Sequence, residues 1–133
     1  MSDIHQLTEL QIALLRVLWE RGQATVAEIC EALRDERGLA LTTVATLLSR
    51  LEKRGVVSHE TRSRQYVYQP LVTEADVRHS MVSELTEQLF GGDVTALMSH
   101  LVSAEEVSPG DLAQLRAIVD RAEQAKRRTN HAD

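Results

Sequence analysis

Cysteine is nearly missing from this chain: Cys30 is the only one in 133 residues. A single thiol excludes an internal disulfide and a multi-thiolate metal cluster. Its place on the apolar side of a predicted helix makes it a core residue. Aromatic residues are also scarce, at 3%, which argues against a base-stacking platform for single-stranded nucleic acid. No apolar run approaches the roughly 20 residues of a membrane-spanning helix. The opening MSDIHQLTEL carries neither the basic nor the apolar region of a signal peptide. These absences predict a cytoplasmic location and no membrane insertion. Nucleophile elbow, phosphate loop and paired-acid constellation are missing too. His5, His59, His79, His100 and His131 are scattered, without metal-ligand spacing. The chain is therefore expected to be no enzyme and to hold no metal or cofactor, with His79 and His100 at the surface or at a dimer edge.

An overall excess of positive charge is absent as well, since the net charge is −5. Its distribution matters more than its sum. Residues 1–72 carry nine basic and nine acidic side chains, whereas residues 73–133 carry six and eleven. Within residues 42–64, five basic side chains (Arg50, Lys53, Arg54, Arg62, Arg64) face only Glu52 and Glu60. Screening confines a distant carboxylate to about 8–10 Å, so this local surplus decides contacts with phosphate.

What is present is a clear helical rhythm. The hydrophobic fraction of 43% is enough for a core. Thr8 followed by Gln11 forms a capping box for a helix to Arg21, with Leu10, Leu14, Val17 and Leu18 at helical spacing and Ile12, Leu15 and Trp19 widening the stripe. A second capping box, Thr25 with Glu28, opens a helix that buries Val26, Ile29, Cys30 and Leu33, runs on through Arg37 and stops at Gly38. A third helix is predicted over Thr42–Arg54, with Val44, Leu47, Leu48 and Leu51 inward and Gly55 as its stop. Strands follow at Val56–Thr61 and Gln65–Gln69, with Arg62-Ser63-Arg64 at the hairpin tip and Pro70 closing the segment at an edge. Tyr66 and Tyr68 are expected to pack this hairpin onto the helices. Three helices and a basic hairpin predict a winged helix-turn-helix.

Beyond Pro70 the pattern changes. Thr73 begins a long helix, Gly91-Gly92 interrupts, Asp93 caps a shorter helix, and Ser108-Pro109-Gly110-Asp111 starts a last one through about Arg128. Val77, Met81, Leu85, Leu89, Leu97, Leu101, Leu112, Leu115 and Val119 form apolar stripes that three helices alone cannot hide. Burial against a second copy is the economical solution. The fold class is thus mainly α: a winged-helix DNA-binding domain at 1–72, a three-helix dimerisation domain at 73–128 and a flexible tail at 129–133.

In such a fold the third helix offers its N-terminal residues to base edges. Here those are Thr42, Thr43, Ala45 and Thr46, whose hydroxyls and methyls can meet several base edges and the thymine methyl. Ser49, Arg50, Lys53 and Arg54 lie further along, placed for phosphates, and Arg62 and Arg64 at the wing tip for phosphates or the minor groove. None of the threonines makes a bidentate guanine contact, so specificity is expected from many modest contacts and from half-site spacing. Two other classes share the outline: a winged-helix protein–protein interaction module, and a MarR-like small-ligand sensor.

The runs LTELQIALLRVLWERGQATVAEICEAL, LALTTVATLLSRLEKRGVVSHE and QYVYQPLV, continuing through FGGDVTALMSHLVSAEEVSPGDLAQLRAIVD, resemble the penicillinase repressor family of the BlaI/MecI/CopY type. The resemblance covers nearly the whole chain. It implies a homodimeric transcriptional repressor on double-stranded operator DNA with a TACA/TGTA-like dyad, controlling antibiotic-resistance or stress and metal-response genes. Thr42, Thr43, Thr46 and Arg50 match the groove-facing positions. In the β-lactam branch a membrane sensor protease signals antibiotic, and the repressor is then cut within its dimerisation domain. The cut falls where this chain has His100-Leu101 in place of the usual Asn-Phe pair. The paired cysteines of the copper branch are absent, which disfavours copper sensing.

Overall fold

The computed structural model describes residue 4, residues 6–104 and residues 107–131, the last by its backbone alone. His5 and the side chain of His131 lie outside the described residues. Both predicted capping boxes form. The Thr8 Oγ1 accepts from the Gln11 N–H at 3.1 Å while Gln11 Oε1 accepts from the Thr8 N–H at 3.0 Å. The same exchange joins Thr25 and Glu28, at 3.2 and 2.9 Å. They open α1 (Glu9–Arg21) and α2 (Val26–Ala32). Between them runs β1 (Ala24–Thr25), too short for the sequence pattern to announce.

The expected single second helix is broken in two. Leu33 leaves helical geometry at φ −98, ψ 3, which carries its side chain into the core, and α3 (Arg34–Arg37) follows. Gly38 then adopts the left-handed conformation that ends it. The next helix, α4 (Leu41–Lys53), starts one residue earlier than expected, at an Ala40 cap that offers no side-chain acceptor. Its end is a Schellman turn. The Val56 N–H bonds to the Leu51 carbonyl and the Gly55 N–H to that of Glu52, both at 3.0 Å, with Gly55 at φ +75. Leu51 and Val56, which bracket this turn, are both fully buried.

The wing is β2 (Val57–Arg62) paired antiparallel with β3 (Gln65–Pro70). Arg62 pairs with Gln65, so Ser63-Arg64 alone makes the turn, and both residues have positive φ, +50 and +68. That is the pattern of a type I′ hairpin, whose twist matches its strands. The sheet order is β1-β3-β2, which makes β3 the central strand rather than an edge. Pro70 is tolerated because β1 reaches only Val67 and Tyr68, so its missing N–H costs no ladder bond there.

One cluster holds these elements together. Leu14, Leu15 and Leu18 of α1 meet Ile29, Val44, Leu48, Leu51 and Val56, all fully buried. Each contributes roughly 1.5–3 kcal/mol by leaving water. Tyr68 joins them as expected; Val26, Cys30 and Leu47 are half-buried against the cluster rather than inside it. The Trp19 Nε1–H donates to the Val72 carbonyl at 2.9 Å, fastening the segment after the wing to α1.

A Thr73–Asp76 capping box opens α5 (Glu74–Phe90). Two compact units divide the chain, Met1–Leu85 and Thr86–Asp133, so most of α5 belongs to the first. The boundary expected after residue 72 precedes this division because Val72 and Val77 lie in the first unit's core and Met81 packs against it. In the second unit, Gly91 and Gly92, both at positive φ, separate α5 from α6 (Val94–Ser103), which Asp93 caps. Ser108 and Asp111 exchange hydrogen bonds at the start of α7 (Pro109–His131). Residues 129–131, expected within a flexible tail, are helical. Among the described residues of Thr86–Asp133, no apolar side chain is fully buried.

Candidate nucleic-acid interface

The two faces of α4 have opposite characters. Val44, Leu48 and Leu51, at helical spacing, are completely buried, which pins the helix in rotation. The other face is left to solvent: Thr42, Thr43, Thr46, Ser49, Arg50 and Lys53 are exposed, and Ala45 is half-buried. Thr42, Thr43, Thr46, Leu47 and Arg50 line a shallow recess of about 250 Å³. Hydroxyl donors and acceptors thus sit at the N-terminal half and a guanidinium one turn on. This order suits base edges first and phosphate second.

Charge is distributed unevenly over this face. Arg50, Lys53 and Arg64 are exposed and have no ion-pair partner among the described residues. Arg62 instead pairs with Glu60 at 2.8 Å, and Arg54 is half-buried. The other acid of the region, Glu52, is held by His59: Nδ1 and Oε1 lie 2.5 Å apart across the junction of α4 and β2. The two acids of the basic segment are therefore both engaged.

His59 and Tyr66 belong to the site although the pattern did not single them out for it. The His59 ring stacks on Tyr66 with centroids 4.1 Å apart and planes 20° apart, and Tyr68 closes in at 5.4 Å. Cross-strand pairing of His59 with Tyr68 brings these rings together, a relation that becomes visible only once the register is known. Tyr68 is buried, and its hydroxyl titrates above the usual tyrosine range because of burial and the nearby Glu52 carboxylate. Tyr66 remains half exposed to solvent, so it does not pack the wing onto the helices as expected. Leu41 lies outside the helix expected from Thr42. It occupies the first turn of α4 and is 57% exposed.

The expected dimerisation residues divide. Val77 is 3% exposed inside the first unit's core and has no surface left to offer a second copy, and Met81 packs against the same core. Leu85, Leu89, Leu101, Leu112 and Val119 are exposed, with Leu97 and Leu115 half-buried. His79 and His100 are exposed, and His100 touches Phe90 within the second unit at 5.9 Å. His100-Leu101 lies in α6, where the His100 carbonyl accepts from the Ala104 N–H. No cluster of three metal-ligating side chains occurs among the described residues, and no described helix is long and apolar enough to cross a membrane.

Comparison with known proteins bears on the family and the fold. The model of one family, the penicillinase repressors, matches residues 7–121. The methicillin resistance regulatory protein MecI of Mammaliicoccus sciuri is 21% identical over 120 residues, spanning 90% of this chain and 98% of its own. The penicillinase repressor of Bacillus licheniformis is 20% identical over 127 residues, 96% of this chain and 99% of its own. Among solved structures, the DNA-binding domain of the repressor BlaI superposes with a TM-score of 0.51 at 28% identity, covering 57% of this chain and 93% of that one.

Proposed function

The chain belongs to the penicillinase repressor family, and from that membership we propose that it represses transcription as a homodimer bound to a dyad operator with TACA/TGTA-like half-sites. The observation that carries this reading is the outward face of α4. Thr42, Thr43, Thr46 and Arg50 stand exposed together on a helix whose rotation is fixed by three buried residues. Inserted in a major groove, α4 reads bases with its threonines, while Arg50, Lys53 and the wing-tip Arg64 meet phosphates on either side. Two copies set two such helices about 34–36 Å apart, one DNA turn, so each half-site's modest contacts act as a pair.

The second copy docks through the helices of the second unit. Leu89, Val94, Leu101, Ile118 and Val119 are large, apolar and exposed there. A second copy removes such surface from water, at about 25 cal/mol per Å². Repression is relieved by whatever weakens this dimer, because one half-site holds too few contacts alone. One such event is a cut at His100-Leu101 by a membrane sensor protease. Since that peptide lies within α6, the helix must open locally before it can be cleaved. Antibiotic-resistance or stress and metal-response genes are the expected targets.

Fluorescence anisotropy against the promoter upstream of the gene, with a scrambled duplex as control, tests the proposal across a salt series. Selective binding that weakens with salt and is lost in the Thr46→Ala, Arg50→Ala double variant is the expected result. Equal and weak binding to both duplexes refutes it.

A further inference from the structure

An apolar recess of about 380 Å³ opens where the first turns of α2 and α4 meet the start of β3. Val26, Ala27, Leu41, Ala45 and Tyr66 form most of it, with Thr42 at its edge, and its surface is almost wholly carbon. We propose that this recess takes the C5-methyl edge of a thymine in each operator half-site, making Leu41 and Tyr66 specificity-determining residues. The inference rests on the DNA-binding reading above and adds to it the residues that read a thymine.

Three observations carry it. First, the recess is continuous with the face of α4 assigned to bases, because Thr42 and Ala45 belong to both. Second, Leu41 and Tyr66 come from separate elements and are 57% and 52% exposed. A single exposed apolar side chain is ordinary, but two converging on one apolar floor make a binding surface. Third, Arg64 lies two residues before Tyr66 in the wing and Arg50 stands exposed further along the helix that bears Leu41, so two of the elements that wall the recess also carry positive charge. That arrangement complements a polyanion that also carries one apolar group.

The chemistry of the major groove then selects the occupant. Thymine C5-methyl is the one apolar substituent displayed there; guanine, adenine and cytosine present nitrogen and oxygen. A phosphate or a polar base edge seated against carbon would lose its hydration without replacement. The methyl gains from leaving water, and the space also admits the pyrimidine C5–C6 edge that bears it.

The test uses the full chain and an operator selected by it from a randomised duplex library. Uracil, which lacks only the methyl, then replaces thymine at one position at a time, and affinities are read by anisotropy. One methyl removed from an apolar contact corresponds to about a fourfold loss. One thymine per half-site is expected to show it. Leu41→Ala should weaken binding to the thymine operator by a similar factor yet leave the uracil duplex unaffected, and Tyr66→Ala should lessen the discrimination at the same position. Because Leu41 is exposed, Leu41→Ala is expected to keep the wild-type melting curve, which a thermal melt verifies. Selective operator binding that is indifferent to uracil everywhere overturns the recess assignment alone. So does a thymine preference that persists undiminished in Leu41→Ala. Failure to select any sequence refutes the repressor reading, and the recess assignment falls with it.

Discussion

Glu60 and Arg62 neutralise one another at the base of the wing turn, Arg62 Nη2 lying 2.8 Å from Glu60 Oε2. They are two residues apart on β2, so both side chains leave the same face of the strand. Arg62 must share its charge with Glu60 before it can serve a phosphate, whereas Arg64 has no such tie among the described residues. Glu60→Gln is therefore expected to tighten operator binding by about two- to fivefold, by removing a repelling carboxylate and releasing Arg62. Anisotropy at low and physiological salt checks this, and the gain should shrink as salt rises. Unchanged affinity would mean that the wing tip lies away from the phosphates.

Arg64 occupies a costly position. As a non-glycine residue at φ +68 it bears the steric penalty of left-handed backbone, about 1 kcal/mol. Arg64→Gly is expected to raise the melting temperature by a few degrees while weakening operator affinity and lowering the salt slope by about one. Opposite signs in the two measurements would mark a side chain kept for binding rather than for folding. A variant that loses stability, or retains full affinity, refutes that role.

At Gly55 a methyl group should act on stability first. Its φ of +75 completes the Schellman turn that passes α4 into the wing. Gly55→Ala keeps the hydrogen-bonding groups but strains the backbone, so a loss of about 1 kcal/mol or more is expected by urea denaturation. Operator binding should fall with it only to the extent that the wing shifts.

How much of this was legible in the sequence follows from the range of the interactions. The caps at Thr8, Thr25, Thr73 and Ser108 link residues three apart, so their spacing announces them. The Gly55 stop is equally local. The exposed face of α4 could be read because the heptad of Val44, Leu48 and Leu51 fixes its opposite. By contrast, β1 exists only through pairing of Ala24 and Thr25 with Tyr68 and Val67, far along the chain. The break at Leu33, the inward turn of Val77 and the stacking of His59 on Tyr66 are likewise decided by tertiary packing. The apolar recess is decided in the same way, since its walls come from four elements, β1, α2, α4 and β3.

Cys30 gives a chemical check on the first unit. Half-buried against the core, its thiol is pushed above the usual cysteine range by burial, so little thiolate exists at neutral pH. Iodoacetamide should label it slowly in the native protein and rapidly in denaturant, as followed by mass spectrometry. Fast native labelling would mean that α2 opens readily.

The second unit's surface leads to the last expectation. Among its described residues no apolar side chain is fully buried, yet Leu101 and Val119 are each about half exposed, at 48% and 49%. A 48-residue unit with so little of its own core has little to offset the entropy of ordering α6, α7 and the end of α5, which argues for cover from outside it. If that cover is a second copy, a single charge in the interface must be desolvated twice over in a two-fold dimer, once from each protomer. Leu101→Asp and Val119→Asp, made separately, are expected to shift sedimentation from dimer to monomer at micromolar concentration. Each should weaken operator binding at least tenfold while leaving the first unit's melting transition in place. Both substitutions place an acid on an exposed helix face, so neither disturbs the buried cluster around Leu14 and Leu48. A dimer that survives both variants would put the contact elsewhere on the chain. A wild-type monomer that still binds its operator tightly would remove dimerisation from the mechanism altogether.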